Sequence, residues 1–227
     1  MPTALPSAAP HIPWDRIDTV LVDMDGTLLD LAFDNYFWLE LVPRHYAAQR
    51  RLPEHAARVE LMQSYRALEG QLAWYCVDHW TAALGIDLRA LSRQHSERIC
   101  YLPMAPEFLA MVRARGKHLI LVTNAHRDVL AVKVERTGLD REVDALVSSH
   151  DFRAPKESPA FWQRFHECGQ FDPERTMLIE DSLSVLAAGR AFGLGYTLAI
   201  QRPDSSQPPR DISDFPAIDG VYVLARD

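Results

Sequence analysis

Four times between residues 106 and 200, a helical stretch ends at a glycine and gives way to a short apolar run. The stretch 106–115 stops at Gly116 before 118–122, and 127–137 stops at Gly138 before 145–147. The stretch 159–168 stops at Gly169 before 176–179, and 182–192 stops at Gly193 before 196–200. Glycine is the usual residue where a helix ends in a left-handed turn. Apolar runs without polar alternation belong to strands buried on both faces, which means a parallel sheet covered by helices. A fifth such run, 17–22, lies far upstream and breaks at Asp23-Met24-Asp25-Gly26.

Between that first strand and residue 102 there is no strand signal. Tyr36, Leu39, Val42 and Tyr46 recur at helical spacing, and Pro43 is expected to bend or end this helix. A second helix is expected over 53–69 with Pro53 in its first turn, and a third over 72–84 closed by Gly85. A fourth is capped by Asp87 and runs toward Cys100. The chain therefore divides into an α/β core (14–30 and 103–227) and an inserted all-helical domain (31–102). The segment 201–217, rich in Pro, Ser and Asp, is expected as a surface loop, and 221–224 as an edge strand. The first 13 residues read as a loose Pro-rich leader without the basic and apolar parts of a signal peptide.

Composition narrows the partners. With 24 Lys plus Arg against 31 Asp plus Glu, the net charge is −7, which argues against nucleic acid. No run is apolar enough for a membrane span, so no membrane partner is expected. Three cysteines without CxxC spacing argue against a disulfide framework and for a reducing, cytoplasmic setting, with the thiols buried and inert. Nine histidines without HExxH or a close pair argue against zinc. Gly193-Leu194-Gly195 precedes a strand, so it is no dinucleotide loop.

In an open parallel sheet, ligands bind beyond the carboxyl ends of the strands. Strand one is followed by Asp23, Asp25, Gly26 and Thr27, and the next by Thr123 and Asn124. Lys156 precedes a later helix, and Glu180-Asp181-Ser182 follows the strand 176–179. Four carboxylates and one ammonium would meet on one rim. Such crowding needs a cation, and oxygen donors that leave room for a substrate phosphate suit Mg²⁺. An N-cap role explains Asp181 alone equally well, but not the set.

DMDGT at 23–27, Thr123 after a strand, Lys156 before a helix and Glu180-Asp181 after a strand occur in order. Together they resemble the haloacid dehalogenase superfamily, over about residues 17–200. The resemblance implies a Rossmann-like core with a helical cap inserted between the first two motifs. It implies Asp23 as nucleophile, forming an aspartyl-phosphate, and Asp25 as the acid and base for leaving group and water. It implies phosphate binding by Thr123, the Asn124 backbone N–H and Lys156. Mg²⁺, for which Mn²⁺ or Co²⁺ could substitute, would be held by Asp23, the Asp25 backbone carbonyl, Glu180 and Asp181.

The stretches DMDGTLLDLAFDNYFWLELVP, WYCVDHW, LVTNAHRDVLAVKVERTGLD and PKESP resemble, more narrowly, the nucleotidases of this superfamily. That implies purine nucleoside 5′-monophosphates, GMP and IMP preferred, as the small-molecule phosphate esters hydrolysed. Among the aromatics Phe33, Tyr36, Phe37, Trp38, Trp74, Tyr75 and Trp80, helical spacing assigns most to the cap's own core. One or two, with Tyr36 and Trp74 as candidates, would face a base. The core motifs fit a sugar-phosphate phosphatase or a phosphomutase equally. Dehalogenation needs neither Asp25 nor Asp181. A non-catalytic phospho-receiver module would place its acidic pair before the Thr and Lys, whereas Glu180-Asp181 follows Lys156.

Overall fold

The computed structural model describes residues 10–169 and 171–226. Six parallel strands form one sheet in the order β3-β2-β1-β4-β5-β6. They are β1 (Thr19–Val22), β2 (His118–Thr123), β3 (Ala145–Ser148), β4 (Thr176–Glu180), β5 (Tyr196–Ile200) and β6 (Ala217–Ile218). This is the doubly wound, Rossmann-like order that the family resemblance implies; the helix–glycine–strand series points to its parallel strands. Val22 pairs with Leu121 on one side and Ile179 on the other. Asp23 therefore leaves the sheet between β2 and β4, where the chain direction of the winding reverses.

The strands alternate their side chains between two apolar layers. Leu21, Ile120, Val122 and Leu178 face Phe161, Trp162 and Phe165 of α8 (Pro159–Glu167) and Val185 and Leu186 of α9 (Leu183–Phe192). Val20, Val22, Leu119, Leu121 and Ile179 face the other way, with Phe108 and Leu109 of α6 (Ala105–Ala114) and Leu130 and Val132 of α7 (Arg127–Thr137). Gly138 and Gly193 end α7 and α9 with left-handed φ of 70° and 108°.

The helices between β1 and β2 are α1 (Ala32–Tyr36), α2 (Val42–Arg50), α3 (Glu54–Leu68), α4 (Val77–Leu84) and α5 (Leu88–Gln94). Pro43 does not end its helix. The turn Phe37–Leu41 widens to π-helix and joins α1 to α2 continuously. Proline cannot donate to the carbonyl four residues back. The Leu39 carbonyl that it leaves accepts instead from Arg58 Nη1 on α3. The expected third helix breaks into a 3₁₀ turn, Leu72–Tyr75, and α4. Asp87 caps α5 through Ala90 N at 3.0 Å, and α5 ends at Gln94, before a 3₁₀ turn Ser96–Arg98. Phe33, Phe37, Tyr65 and Trp80 are buried and continue the second apolar layer into the insertion. Trp38, Tyr65 and Trp80 meet edge to face at 5.0–6.3 Å.

Three further expectations change. Residues 221–224 are no strand: Val221–Arg226 is a 3₁₀ helix, and the edge strand is β6. The three-residue spacing of Val221 and Leu224 puts both on the buried side of that turn, 1% and 2% exposed. The loop before β6 is not wholly at the surface, since Pro203, Asp204 and Phe215 are buried. The cysteines are not buried: Cys76 is half-buried, and Cys100 and Cys168 are exposed. Of the expected leader, residues 1–9 lie outside the described residues. Among the described residues no helix is long and apolar enough to cross a membrane.

Trp162 is fully buried, and its Nε1 donates to the Lys156 carbonyl at 2.7 Å. Trp162→Ala is expected to cost about 3–5 kcal/mol in urea unfolding, the usual penalty for emptying an aromatic core site.

Candidate active site

The turn after β1 is tight. Leu28 N and Leu29 N both bond to the Met24 carbonyl, at 3.0 and 2.8 Å, and Gly26 N donates to the Leu29 carbonyl at 2.7 Å. Gly26 has φ +87°, and a Cβ there would meet the Asp181 carboxylate and Pro203 Cβ at 2.9 Å. Glycine is needed at this position on both counts.

Lys156 lies at the centre of the rim, 2% exposed. Its ammonium donates to Asp23 Oδ1, to Glu180 Oε2 at 2.7 Å and to the Val122 carbonyl at 2.9 Å, which uses all three protons. Its backbone is fixed from both sides, because Lys156 N donates to Asn124 Oδ1 at 2.9 Å while its carbonyl takes Trp162. The Asn124 amide in turn donates to Glu157 at 3.1 Å. Thr123 is buried, and its Oγ1 accepts from Ala125 N at 3.0 Å, which leaves the hydroxyl proton free to point elsewhere.

Asp23, Glu180 and Asp181 bring carboxylate oxygens within 4.8 Å of one another. Burial pushes Asp23 up to about 8, helped by the Glu180 charge and opposed by Lys156. Burial likewise raises Glu180 to about 7, against Lys156 and with Asp181, and raises Asp181 to about 7, with Asp23 adding to it. One ammonium thus faces three acids. Arg210 adds a weak contact, 3.9 Å from Asp181. An all-oxygen set with this uncompensated charge fits a hard divalent cation.

The fourth expected carboxylate stands apart. Asp25 Oδ1 accepts from Lys133 Nζ at 2.6 Å, and the same ammonium reaches both oxygens of Asp34 at 2.8 Å. Lys133 sits on α7 with its side chain 2% exposed, and Asp34 sits on α1 of the insertion. Burial alone would lower the Lys133 pKa, but Asp25 and Asp34 hold it above the ordinary lysine value. The sequence reading paired the acids with Lys156 alone and missed Lys133. The only signal for it was a lysine on the inward side of α7, between Leu130 and Val134.

Two further groups went unread. The loop 203–206 holds the start of the insertion: the Pro203 carbonyl accepts from Leu31 N at 3.0 Å, and Asp204 accepts from Asn35 at 2.7 Å. Ser205 N donates to Asp30 at 3.1 Å. Tyr75 carries the insertion to the rim, where its hydroxyl donates to Glu157 beside Lys156. Of the two base-facing candidates, Tyr36 has a guanidinium, Arg98, 4.1 Å over its ring. Trp74 is 37% exposed, edge-on to Tyr75 at 4.7 Å.

The chain matches the haloacid dehalogenase-like hydrolase family over residues 17–193. It belongs to that family. It is therefore a hydrolase, as its motifs imply. It is 41% identical to the GMP/IMP nucleotidase YrfG of Escherichia coli over 214 residues, 94% of this chain and 96% of that one. The Shigella flexneri protein of the same name matches equally. In structure it resembles the HAD phosphatase from Thermococcus onnurineus, with TM-score 0.77, 20% identity, and 92% and 97% of the two chains covered. It also resembles the magnesium-bound HAD-hydrolase YfnB from Bacillus subtilis, with TM-score 0.67, 20% identity, and 93% and 98% covered. These two likenesses bear on the fold.

Removing Lys133 strands two partly buried acids, 20% and 21% exposed. Lys133→Met is expected to destabilise toward the low end of the about 3–5 kcal/mol typical of a broken buried pair, measured by urea unfolding. The double variant with Asp34→Leu should recover part of that loss. Additive losses would show that Lys133 and Asp34 do not interact.

Proposed function

We propose that the chain is a Mg²⁺-dependent phosphatase that hydrolyses nucleoside 5′-monophosphates, GMP and IMP preferred, through an aspartyl-phosphate intermediate. The observation that carries the reading is the 41% identity, over 94% of this chain, with GMP/IMP nucleotidase YrfG. The phosphoric monoester hydrolase class rests on the same match and on the rim built around Asp23. The division into a core (14–30 and 103–227) and a helical cap (31–102) is part of the proposal, as is a cytoplasmic setting.

In this reading Asp23 attacks phosphorus through Oδ2, since Oδ1 is taken by Lys156. Asp25 gives its proton to the leaving oxygen, then takes one from the water that cleaves the phospho-aspartate and frees Asp23. Such acid–base help is worth about 10²–10⁴ in rate. Lys133 fixes the direction of the Asp25 carboxylate through Oδ1. Thr123 and the Asn124 N–H bind the phosphoryl oxygens whose charge is redistributed, and Lys156 joins them by exchanging one of its three present acceptors for a phosphoryl oxygen. Asp23, Glu180, Asp181 and the Asp25 carbonyl would hold Mg²⁺, which supplies charge neutralisation between nucleophile and phosphate. The cap covers the rest of the substrate and keeps water from the phosphoryl centre.

A phosphate-release panel over nucleotides and sugar phosphates tests this. GMP and IMP should exceed AMP, CMP and glucose 6-phosphate in kcat/KM. EDTA should abolish release, and added Mg²⁺, Mn²⁺ or Co²⁺ should restore it. Asp23→Asn should be inactive while folded. If sugar phosphates lead, the nucleotidase reading fails and a broader phosphatase remains.

Trp74 and Tyr36 are the proposed base contacts. Stacking on a planar base is worth about 0.5–1.5 kcal/mol, enough for preference but not strict selection. Trp74→Ala should lower kcat/KM for GMP by about 2–10-fold and leave p-nitrophenyl phosphate hydrolysis nearly unchanged. Tyr36→Ala should do less, because its ring face is already occupied by Arg98. Equal losses on both substrates would remove Trp74 from base recognition.

A further inference from the structure

Sequence spacing argues against a zinc site, yet the sheet brings two distant histidines together. His126 caps α7 just past β2, and His150 lies in the 3₁₀ turn Ser149–Phe152 just past β3. Their rings are 4.9 Å apart at 77°. Cys76, at the start of α4 in the insertion, completes a group whose donor atoms all lie within 4.8 Å of one another. We infer that Cys76, His126 and His150 form a second cation site, for a borderline-soft divalent ion such as Zn²⁺, that ties the insertion to the rim of the sheet.

The donor chemistry separates this site from the carboxylate cluster. Two imidazole nitrogens and one thiolate select Zn²⁺ over Mg²⁺, which prefers oxygen. His150 Nε2 is buried without a hydrogen-bond partner. A stranded buried nitrogen is costly, and an ion would satisfy it. Neutral imidazole is the form that ligates metals.

His126 Nε2 faces Asp78 Oδ2 at 3.7 Å, while its Nδ1 accepts from Asp128 N at 3.3 Å and lies 3.7 Å from Asp128 Oδ2. An ion on Nε2 moves the ring proton to Nδ1, which then gives up the Asp128 N–H and donates to the Asp128 carboxylate, orienting the ring. Cys76 gives up its thiol proton to solvent on binding. Zn–N and Zn–S bonds of about 2.0–2.3 Å require the three side chains to close in slightly by rotation. Water or Asp78 takes the fourth position. Cys76 adjoins Tyr75, whose hydroxyl sits on Glu157, so a bound ion would hold this turn of the insertion against the catalytic rim.

The test needs no substrate. Protein stripped with EDTA and returned to excess Mg²⁺ is titrated with Zn²⁺ by calorimetry and with Co²⁺ by absorption. One Zn²⁺ per chain and a near-ultraviolet cobalt–thiolate band are expected. Cys76→Ser should abolish the band, and His126→Gln or His150→Gln should weaken Zn²⁺ binding at least tenfold. A band that survives Cys76→Ser belongs to Cys100 or Cys168 and overturns the proposal, as does the absence of stoichiometric binding. If Cys76→Ser fails to fold, the Cys100→Ser/Cys168→Ser variant decides. Its sole thiol is Cys76, so it must keep the band.

Discussion

A lysine ammonium with all three of its protons committed, two to buried carboxylates and one to a strand carbonyl, holds the carboxyl edge of this sheet together. Lys156 is what allows β1 and β4 to end side by side in acids without driving each other apart. Its backbone is clamped by Asn124 on one side and Trp162 on the other, so its charge stays fixed in place. The rest of the rim follows. Asn124 is turned toward Lys156 and Glu157, Glu157 receives Tyr75, and Tyr75 positions the nearest turn of the insertion. The charge Lys156 leaves unbalanced is what makes the cluster receptive to a cation.

A second buried lysine repeats this arrangement across the boundary between sheet and insertion. Lys133 binds an acid of the turn after β1 and an acid of the first inserted helix in one hand-hold. The position of Asp25 therefore depends on where α1 lies. The loop 203–206 supports the same helix from the other end of the sheet, through Leu31 and Asn35. The part of the chain that would select a substrate and the part that would cleave it thus share hydrogen bonds at the reacting groups, as well as an apolar layer.

The parallel strands and the rim acids Asp23, Glu180 and Asp181 were legible because each depends on short-range signals: apolar runs, glycine stops and polar residues next to them; the strand order depends on long-range pairing and came only with the family resemblance. Thr123 and Glu180 fell where strand ends put them, and Lys156 in the turn before α8. The π turn at Phe37–Leu41 was not legible, since it depends on Arg58 of another helix satisfying the carbonyl that Pro43 abandons. Lys133 reads as one more basic residue on a polar helix until α1 packs against it. The 3₁₀ helix at Val221–Arg226 passed for a strand because the unbroken run Val221-Tyr222-Val223-Leu224 fits a period of two or of three equally well. The pairing of His126 with His150 is invisible along the chain, because it arises only when β2 and β3 lie adjacent.

The insertion leaves and re-enters the sheet domain at a single point. Asp30 N donates to the Cys100 carbonyl at 3.0 Å, and Leu102 N donates to the Leu28 carbonyl at 2.8 Å, so its two ends run side by side. A segment whose ends are already joined makes little entropic demand on what it is attached to, and each doubling of its length adds only about 0.6 kcal/mol to the closure cost. Whole helices can then be lengthened, lost or exchanged between Asp30 and Cys100 while β1 and β2 keep their register. In a scaffold of this kind, the selectivity of the enzyme can drift or be re-engineered at a rate set by the insertion alone, within the few contacts that Lys133, Glu157 and the 203–206 loop require.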